Sequence, residues 1–214
     1  MQDVDVGTIV PSTRDLLQAI TTRRRNLALL GLISSESPAE EAARLADLNV
    51  SAFVAAEPGQ ALALAARATR TVPSLCLDAL RGGEGNERQA LLAARQHGAD
   101  GVCIDAGLPL DAWDRLAKVA RSMRMLPLAS AADAAGVEAA VKAGARAILL
   151  RAGSAGAVLE LAARAPRGVT LVGQVEGADA DAIRALAGKV DAAVVPPSVH
   201  AAAGFAELVA EVDP

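Results

Sequence analysis

The sequence is nearly free of aromatic residues, since its 214 residues include one Trp, two Phe and no Tyr. Single-stranded nucleic acids stack on aromatic side chains, and many protein interfaces are anchored by them. The formal net charge is −4 at pH 7, which disfavours contact with a phosphate backbone or an acidic membrane. We therefore expect neither a nucleic-acid partner nor a membrane partner.

Cysteine is also scarce, and both cysteines, Cys76 and Cys103, lie inside apolar runs typical of strands. We predict two buried free thiols, as expected in a reducing compartment. No apolar stretch approaches the roughly 18 residues that a membrane span needs. The first five residues are acidic rather than basic, unlike a secretory signal. These features predict a cytoplasmic protein.

Short β-branched or leucine-rich runs alternate eight times with alanine-rich segments, a pattern that indicates parallel βα units. Predicted strands are 27–33, 50–56, 73–78, 101–105, 125–129, 147–151, 169–174 and 191–195. Predicted helices are 38–48, 58–70, 86–97, 110–123, 133–143, 155–164, 179–188 and 198–211. The alternation predicts the α/β class and one compact (βα)8 TIM barrel. We place a single domain over 1–214, with an N-terminal arm over 1–25 and the barrel over 26–214. An extra helix over 12–24 is predicted to close the bottom of the barrel.

Residues that favour helix ends agree with these boundaries. Ser37, Asp179 and Ser198 each stand where a side chain can cap the helix that follows. Gly98 and Gly144 follow predicted helix ends, where a left-handed residue terminates many helices.

Four segments resemble, in order and spacing, the indole-3-glycerol phosphate synthase family of tryptophan biosynthesis. They are Val72-Pro73-Ser74-Leu75-Cys76-Leu77-Asp78, Gly98-Ala99-Asp100-Gly101-Val102, Ala143-Gly144-Ala145-Arg146-Ala147-Ile148 and Val169-Thr170-Leu171-Val172. With residues 12–26 resembling the helix that precedes the barrel in that family, the similarity covers nearly the whole chain. The resemblance implies a carbon–carbon lyase barrel with charged side chains at the C-terminal strand ends.

The same resemblance implies that this chain has lost the catalytic groups of the family. The family's catalytic and substrate-binding side chains correspond here to Leu30, Leu32, Leu77, Ser130, Arg151 and Gln174. Leucine cannot exchange a proton, so the leucine at the general acid position removes an acid–base step. The phosphate-binding Gly-Ser corresponds to Pro196-Pro197, and proline has no N–H to offer a phosphate. Glu176 adds negative charge near the same place.

The leading hypothesis is a degenerate member kept as a non-catalytic interaction or regulatory protein, which binds a protein partner or self-associates. In this hypothesis, leucines at strand ends close the barrel mouth with an apolar lid. The alternative is a re-tooled small-molecule binder, lyase or isomerase that uses Asp78, Asp105 and Arg151, with Glu176 nearby. Asp105 is then predicted to pair with Arg151, and Asp78 to act as a base. An open pocket above about 300 Å³ favours the alternative.

Other polar residues predicted at the strand ends are Ser34, Ser35, Glu57 and His200. His97 and His200 are far apart and have no cysteine or carboxylate at ligand spacing, so no metal site and no cofactor are expected. We interpret both histidines as surface or capping residues. Trp113 is predicted to pack on the outside of the barrel.

Overall fold

A computed structural model describes residues 9–22, 26–34, 36–80 and 85–212. Eight parallel strands pair in chain order, and β1 also pairs with β8, so the sheet closes into the predicted TIM barrel. The strands are β1 Ala28–Leu32, β2 Ala52–Ala55, β3 Ser74–Cys76, β4 Gly101–Asp105, β5 Leu126–Ala131, β6 Ala147–Ala152, β7 Thr170–Val175 and β8 Ala192–Val195. The helices are α1 Leu16–Thr21, α2 Pro38–Asp47, α3 Gln60–Ala68, α4 Glu87–Gln96, α5 Leu110–Ser122, α6 Ala134–Lys142, α7 Ala155–Ala162, α8 Ala180–Leu186, α9 Pro197–His200 and α10 Phe205–Val212.

Two helix predictions need correction. The helix predicted over 198–211 is two helices, since the chain turns between His200 and Phe205. Gly204 lies in that turn, and glycine disfavours a helix interior because it loses the most backbone entropy. The helix predicted over 12–24 is only Leu16–Thr21, and residues 23–25 lie outside the described part of the chain.

The helix caps are partly as predicted. The Asp179 carboxylate accepts a hydrogen bond from Ala182 N, so it caps α8 as predicted. Ser37 is the N-cap residue of α2 as predicted, but its side chain makes no capping hydrogen bond. Ser198 lies inside α9 rather than before it, so that prediction is wrong. Gly98 and Gly144 do follow helix ends with positive φ angles of 106° and 67°.

Alternate residues of each strand face the barrel interior or the helices, because side chains alternate across a strand. The interior cluster includes Leu30, Val54, Leu75 and Leu149. A larger cluster fills the space between strands and helices, and Trp113 of α5 is buried there, on the outside of the barrel as predicted. The inward-facing rows also carry residues at the C-terminal strand ends to the mouth.

Helix α1 closes the bottom of the barrel. Leu16 and Ile20 are buried in the interior cluster. Gly101 at the start of β4 makes room for Leu16, since an added Cβ there would overlap Leu16 Cδ2. The prediction that a helix before the first strand covers the N-terminal face is therefore confirmed.

The segment before α1 is held by a buried carboxylate, Asp100, at the start of β4. Arg14 Nε lies 2.7 Å from Asp100 Oδ2, and Arg95 Nη1 lies 2.8 Å from Oδ1. Ser12 Oγ donates to Oδ1 at 2.5 Å, and Ser74 N donates to Oδ2 at 2.9 Å. These bonds satisfy both carboxylate oxygens, as a buried charge requires.

Candidate active site at the barrel mouth

The C-terminal ends of the strands carry a ring of polar side chains. Each strand places the last residue of its inward-facing row at this end, which is where barrel enzymes hold their active sites. Asp105 ends β4, and Ser130, Arg151 and Gln174 occupy the corresponding positions of β5, β6 and β7. In the sheet, Asp105 pairs with Ser130 and Arg151 pairs with Gln174. Ser130 pairs with Leu149, so Arg151 stands two residues further toward the mouth along β6.

A cavity of about 700 Å³ opens at this end. Its floor includes two buried apolar side chains, Leu77 and Cys103. Its polar lining consists of Asp78, Asp105, Ser130, Arg151 and Glu176. The volume is typical of small-molecule sites, which combine apolar walls with a few polar groups. The predicted apolar lid is therefore wrong.

The three leucines do not close the mouth because they lie at different depths. Leu30 is fully buried in the interior cluster, one inward-facing position below the end of β1. Leu77 is 5% exposed and forms part of the cavity floor. Leu32 is only half-buried and is not part of the cavity lining. The leucines thus make an apolar base and leave the space above it open.

An ion pair crosses the cavity. Arg151 Nη1 lies 3.5 Å from Asp78 Oδ1, and the two side chains are 39% and 35% exposed. β3 and β6 are three places apart in the ring of eight strands, so the pair spans the mouth. The predicted pair between Arg151 and Asp105 is wrong. Asp105 Oδ1 instead accepts a hydrogen bond from Gly107 N at 2.8 Å, which turns this carboxylate toward its own loop.

The charges of the lining are unequal. In the part of the chain that the structure describes, three carboxylates, those of Asp78, Asp105 and Glu176, face one guanidinium, that of Arg151. Because Asp78 and Arg151 offset each other, Asp105 and Glu176 leave the cavity negative. Both are exposed. A negative lining repels phosphate esters and attracts amines.

Gln174 pairs with Arg151 in the sheet but is not part of the cavity lining. Its Oε1 is buried and has no hydrogen-bond partner within the described chain. Buried polar atoms of this kind are rare and call for a missing partner such as water or a ligand.

The cysteine in the cavity floor is not a nucleophile. Burial raises the pKa of the Cys103 thiol far above its usual value, and the neighbouring Cys76 adds to this. Burial also raises the pKa of Cys76 to about 12. The thiolate is the reactive form of cysteine, so both side chains stay protonated and inert near neutral pH. Both cysteines are free and buried, as predicted.

The end of β8 does not offer consecutive amides to an anion. Pro196 and Pro197 have no N–H. The amides of Val199 and His200 both donate to the Pro196 carbonyl within α9. The interpretation of Pro196-Pro197 as a former phosphate-binding position stays a prediction.

His200 has a structural role, so its interpretation as a surface or capping residue is wrong. The side chain is fully buried, with Nε2 2.8 Å from the Leu32 carbonyl oxygen and Nδ1 2.9 Å from Arg44 Nη2. The imidazole therefore donates through Nε2 and accepts at Nδ1. Burial lowers the pKa of His200, and the positive charge of Arg44 lowers it further. The histidine ties the end of β1 to α2 and α9.

Other predicted strand-end residues also lie outside the cavity. Ser34 is bonded to Glu41 through its amide and its hydroxyl, at 2.6 and 2.9 Å. Glu57 is exposed and does not line the cavity, and Ser35 lies outside the described residues. Cys103, Leu80 and Ala132 line the cavity but were not predicted to do so. Only the alternation of β4 could have shown that Cys103 faces inward, two positions before Asp105.

Within the described ranges, no group of three or more His, Cys, Asp or Glu side chains is arranged to hold a metal ion. None of the helices described is both long enough and apolar enough to cross a membrane.

The chain was compared with known proteins. No family model matches it, and no curated protein matches it by sequence. Among solved structures, a 3-hexulose-6-phosphate synthase aligns with a TM-score of 0.68 and 17% identity, over 87% of this chain and 98% of that chain. A thiamine phosphate pyrophosphorylase from Pyrococcus furiosus aligns with a TM-score of 0.63 and 18% identity, over 88% and 98%.

A tryptophan synthase alpha subunit from Legionella pneumophila aligns with a TM-score of 0.60 and 13% identity, over 85% of this chain and 84% of that chain. Identities this low establish a shared TIM-barrel fold and no common activity. The resemblance to indole-3-glycerol phosphate synthase is thus supported at the level of the fold, and the compared barrels are enzymes.

Proposed function

We propose that the barrel mouth binds a small polar molecule that is neutral or positively charged. The observation that carries this proposal is the open cavity of about 700 Å³ with an apolar floor and a polar, net negative lining. The open cavity favours the alternative hypothesis from the sequence, a small-molecule binder, lyase or isomerase, over a mouth closed by leucines. The hypothesis of a non-catalytic interaction protein stays a prediction.

The contacts in the mouth suggest how such a ligand is held. Asp78 and Arg151 present one acceptor group and one donor group across the opening. Their ion pair is about a third exposed and 3.5 Å long, so separating the two groups costs little, on the order of 1 kcal/mol or less. A hydroxyl or amine can therefore enter between them.

A phosphate ester is disfavoured in the same place. Pro196 and Pro197 offer no amide donors, and Glu176 lines the cavity with a carboxylate. Among the described residues, a dianion brought into this lining meets net negative charge and a single guanidinium, which Asp78 already engages. We therefore infer that cleavage of indole-3-glycerol phosphate is not the activity of this chain.

A second candidate function is a lyase or isomerase reaction in the same cavity. It is favoured by the position of Asp78, whose carboxylate lies at a strand end beside a cation, where a general base is held in many barrels. In this case Asp78 takes a proton from the bound molecule, and Arg151 stabilises the negative charge that develops. Loss of turnover with retained binding in Asp78→Asn would separate this role from binding alone.

The test begins with thermal-shift screening of the full chain against size-matched sets of cationic, neutral and phosphorylated small molecules. Titration calorimetry then compares glucosamine with glucosamine 6-phosphate and with indole-3-glycerol phosphate. We expect cationic and neutral compounds to stabilise the protein, and glucosamine to bind about tenfold more tightly than its phosphate ester at this site. Asp78→Asn and Glu176→Gln should weaken that binding.

The matched control is Glu160→Gln, which removes an exposed carboxylate on α7 that is not part of the cavity. It should leave binding unchanged. The proposal fails if no compound binds at millimolar concentration. It also fails if phosphate esters bind best and Arg151→Gln abolishes that binding, since this would restore a phosphate site at the mouth.

A further inference from the structure

A second cavity lies at the opposite end of the barrel. Its volume is about 440 Å³, and it is bounded by the segment around α1 and by the connections that lead into β5 and β6. Helix-to-strand connections meet at the N-terminal face of a TIM barrel, away from the catalytic face. Arg121 and Arg124 precede β5, and Arg146 precedes β6. Because β5 and β6 are paired neighbours, the three arginines meet at one opening. We call this site the basal arginine pocket.

The pocket is positively charged in a chain whose net charge is −4. Arg121, Arg124 and Arg146 are exposed, and none of them has an ion pair or a side-chain hydrogen bond within the described residues. Arg14 also lines the pocket, but it shares the carboxylate of Asp100 with a second arginine. That network therefore carries an excess positive charge rather than cancelling the others.

Among the described residues, one other carboxylate lines the pocket, that of Asp15. It accepts a hydrogen bond from Gln18 N at 2.9 Å and so caps α1. The balance of charged side chains at this opening thus favours an anion, and guanidinium groups prefer phosphate and carboxylate because they donate two parallel hydrogen bonds.

Arg124 lies in the turn that ends α5. Its φ is +55°, in the left-handed region, where a residue with a Cβ is strained and glycine or asparagine is usual. The left-handed turn ends α5, as Met125 N donates to Ala120 O at 3.0 Å. An arginine here costs stability and makes no side-chain contact in the described chain that compensates.

We propose that the basal arginine pocket binds a small phosphorylated molecule with at least two negative charges. The volume is within the range of small-molecule sites, and three unpaired guanidinium groups converge on it. The site is separate from the barrel mouth, so the inference does not depend on the proposed function.

The first experiment is titration calorimetry with inorganic pyrophosphate at low ionic strength. Wild-type protein should bind, and raising the salt concentration should weaken binding because the site is exposed. Removing a charge-assisted hydrogen bond usually costs a factor of about ten or more in affinity. The triple variant R121Q/R124Q/R146Q should therefore bind pyrophosphate at least about a hundredfold more weakly than the wild-type protein.

Three variants distinguish a pocket from general charge attraction. Arg88→Gln removes one exposed guanidinium from α4, outside this pocket, and should leave the affinity unchanged. Arg151→Gln changes the mouth and should also have no effect. Arg124→Gly should weaken pyrophosphate binding while raising the thermal midpoint, since glycine relieves the left-handed strain. If Arg124 had only a structural role, its replacement by glycine would not weaken pyrophosphate binding while raising the thermal midpoint.

Three results would overturn the proposal. The first is a folded wild-type protein that does not bind millimolar pyrophosphate. The second is binding that the triple variant retains, or that Arg88→Gln weakens as much as a single basal variant does. The third is binding of citrate as tight as that of pyrophosphate, which would make the pocket a general anion site rather than a phosphate site.

Discussion

Replacing Asp100 with asparagine tests whether one buried carboxylate holds the bottom of the barrel together. Asp100 accepts bonds from Arg14, Arg95, Ser12 and the Ser74 amide, and its side chain is fully buried. Asparagine keeps the shape but removes the charge, and its amide nitrogen must face at least one of these donors. Two guanidinium groups, each only about an eighth exposed, are then left without their counter-ion.

Removing one partner of a buried ion pair costs about 3–5 kcal/mol. For a chain of this length, each kcal/mol corresponds to roughly 2–4 °C in the melting temperature. We therefore expect Asp100→Asn to lower the melting temperature by about 6–20 °C. The loss should persist at high salt, because buried pairs are screened much less than exposed ones.

The assay is urea and thermal unfolding followed by circular dichroism, together with fluorescence of the single tryptophan, Trp113, which is buried outside the barrel. The matched control is Asp111→Asn, since Asp111 pairs with Arg115 at 3.2 Å but is 81% exposed. Asp111→Asn should lower the free energy of unfolding by no more than about 0.5 kcal/mol. If Asp100→Asn lowers the free energy of unfolding by less than about 1 kcal/mol, the reasoning that this charge holds the N-terminal segment against the barrel is refuted.

Three further predictions follow from the buried groups. Because burial lowers the pKa of His200, the unfolded chain binds its proton first, so stability should fall as pH drops below about 6.5, by at most about 1.4 kcal/mol per pH unit. Urea midpoints at pH 7.5 and 5.5 measure this, and the fall should be smaller in His200→Gln but unchanged in His97→Gln. Cys76 and Cys103 should resist alkylation by iodoacetamide at pH 8 in the folded protein and react on unfolding, as mass spectrometry would detect; rapid modification of the native chain would contradict their raised pKa values. Gly101→Ala should lower stability by about 1–3 kcal/mol in denaturant titration, because the added methyl overlaps the leucine that α1 inserts into the barrel.

The sequence by itself determined the barrel. Eight apolar runs separated by amphipathic helices favour a closed (βα)8 barrel, because each strand must be covered on both faces. Local chemistry also identified the cap at Asp179 and the helix ends at Gly98 and Gly144, since these depend on neighbours only a few residues away. The burial of both cysteines followed from the same apolar runs.

Tertiary structure decided what the strand ends do. The sequence placed Asp78, Asp105 and Arg151 at one face, but the choice of partner depends on the order of strands around the ring and on side-chain direction, which periodicity does not specify. Asp105 is turned away by an amide two residues on, so Arg151 reaches Asp78 across the mouth. The leucines failed to form a lid because the strand register places Leu30 and Leu77 below the opening.

The contacts between distant segments were beyond sequence reasoning for the same physical reason. The burial of His200 depends on Arg44 and on the end of β1, which are more than 150 residues away along the chain. The basal arginine pocket joins residues near positions 14, 121 and 146 that no local pattern connects. Periodicity reports which face of an element is buried, whereas closure of the barrel decides which charges meet.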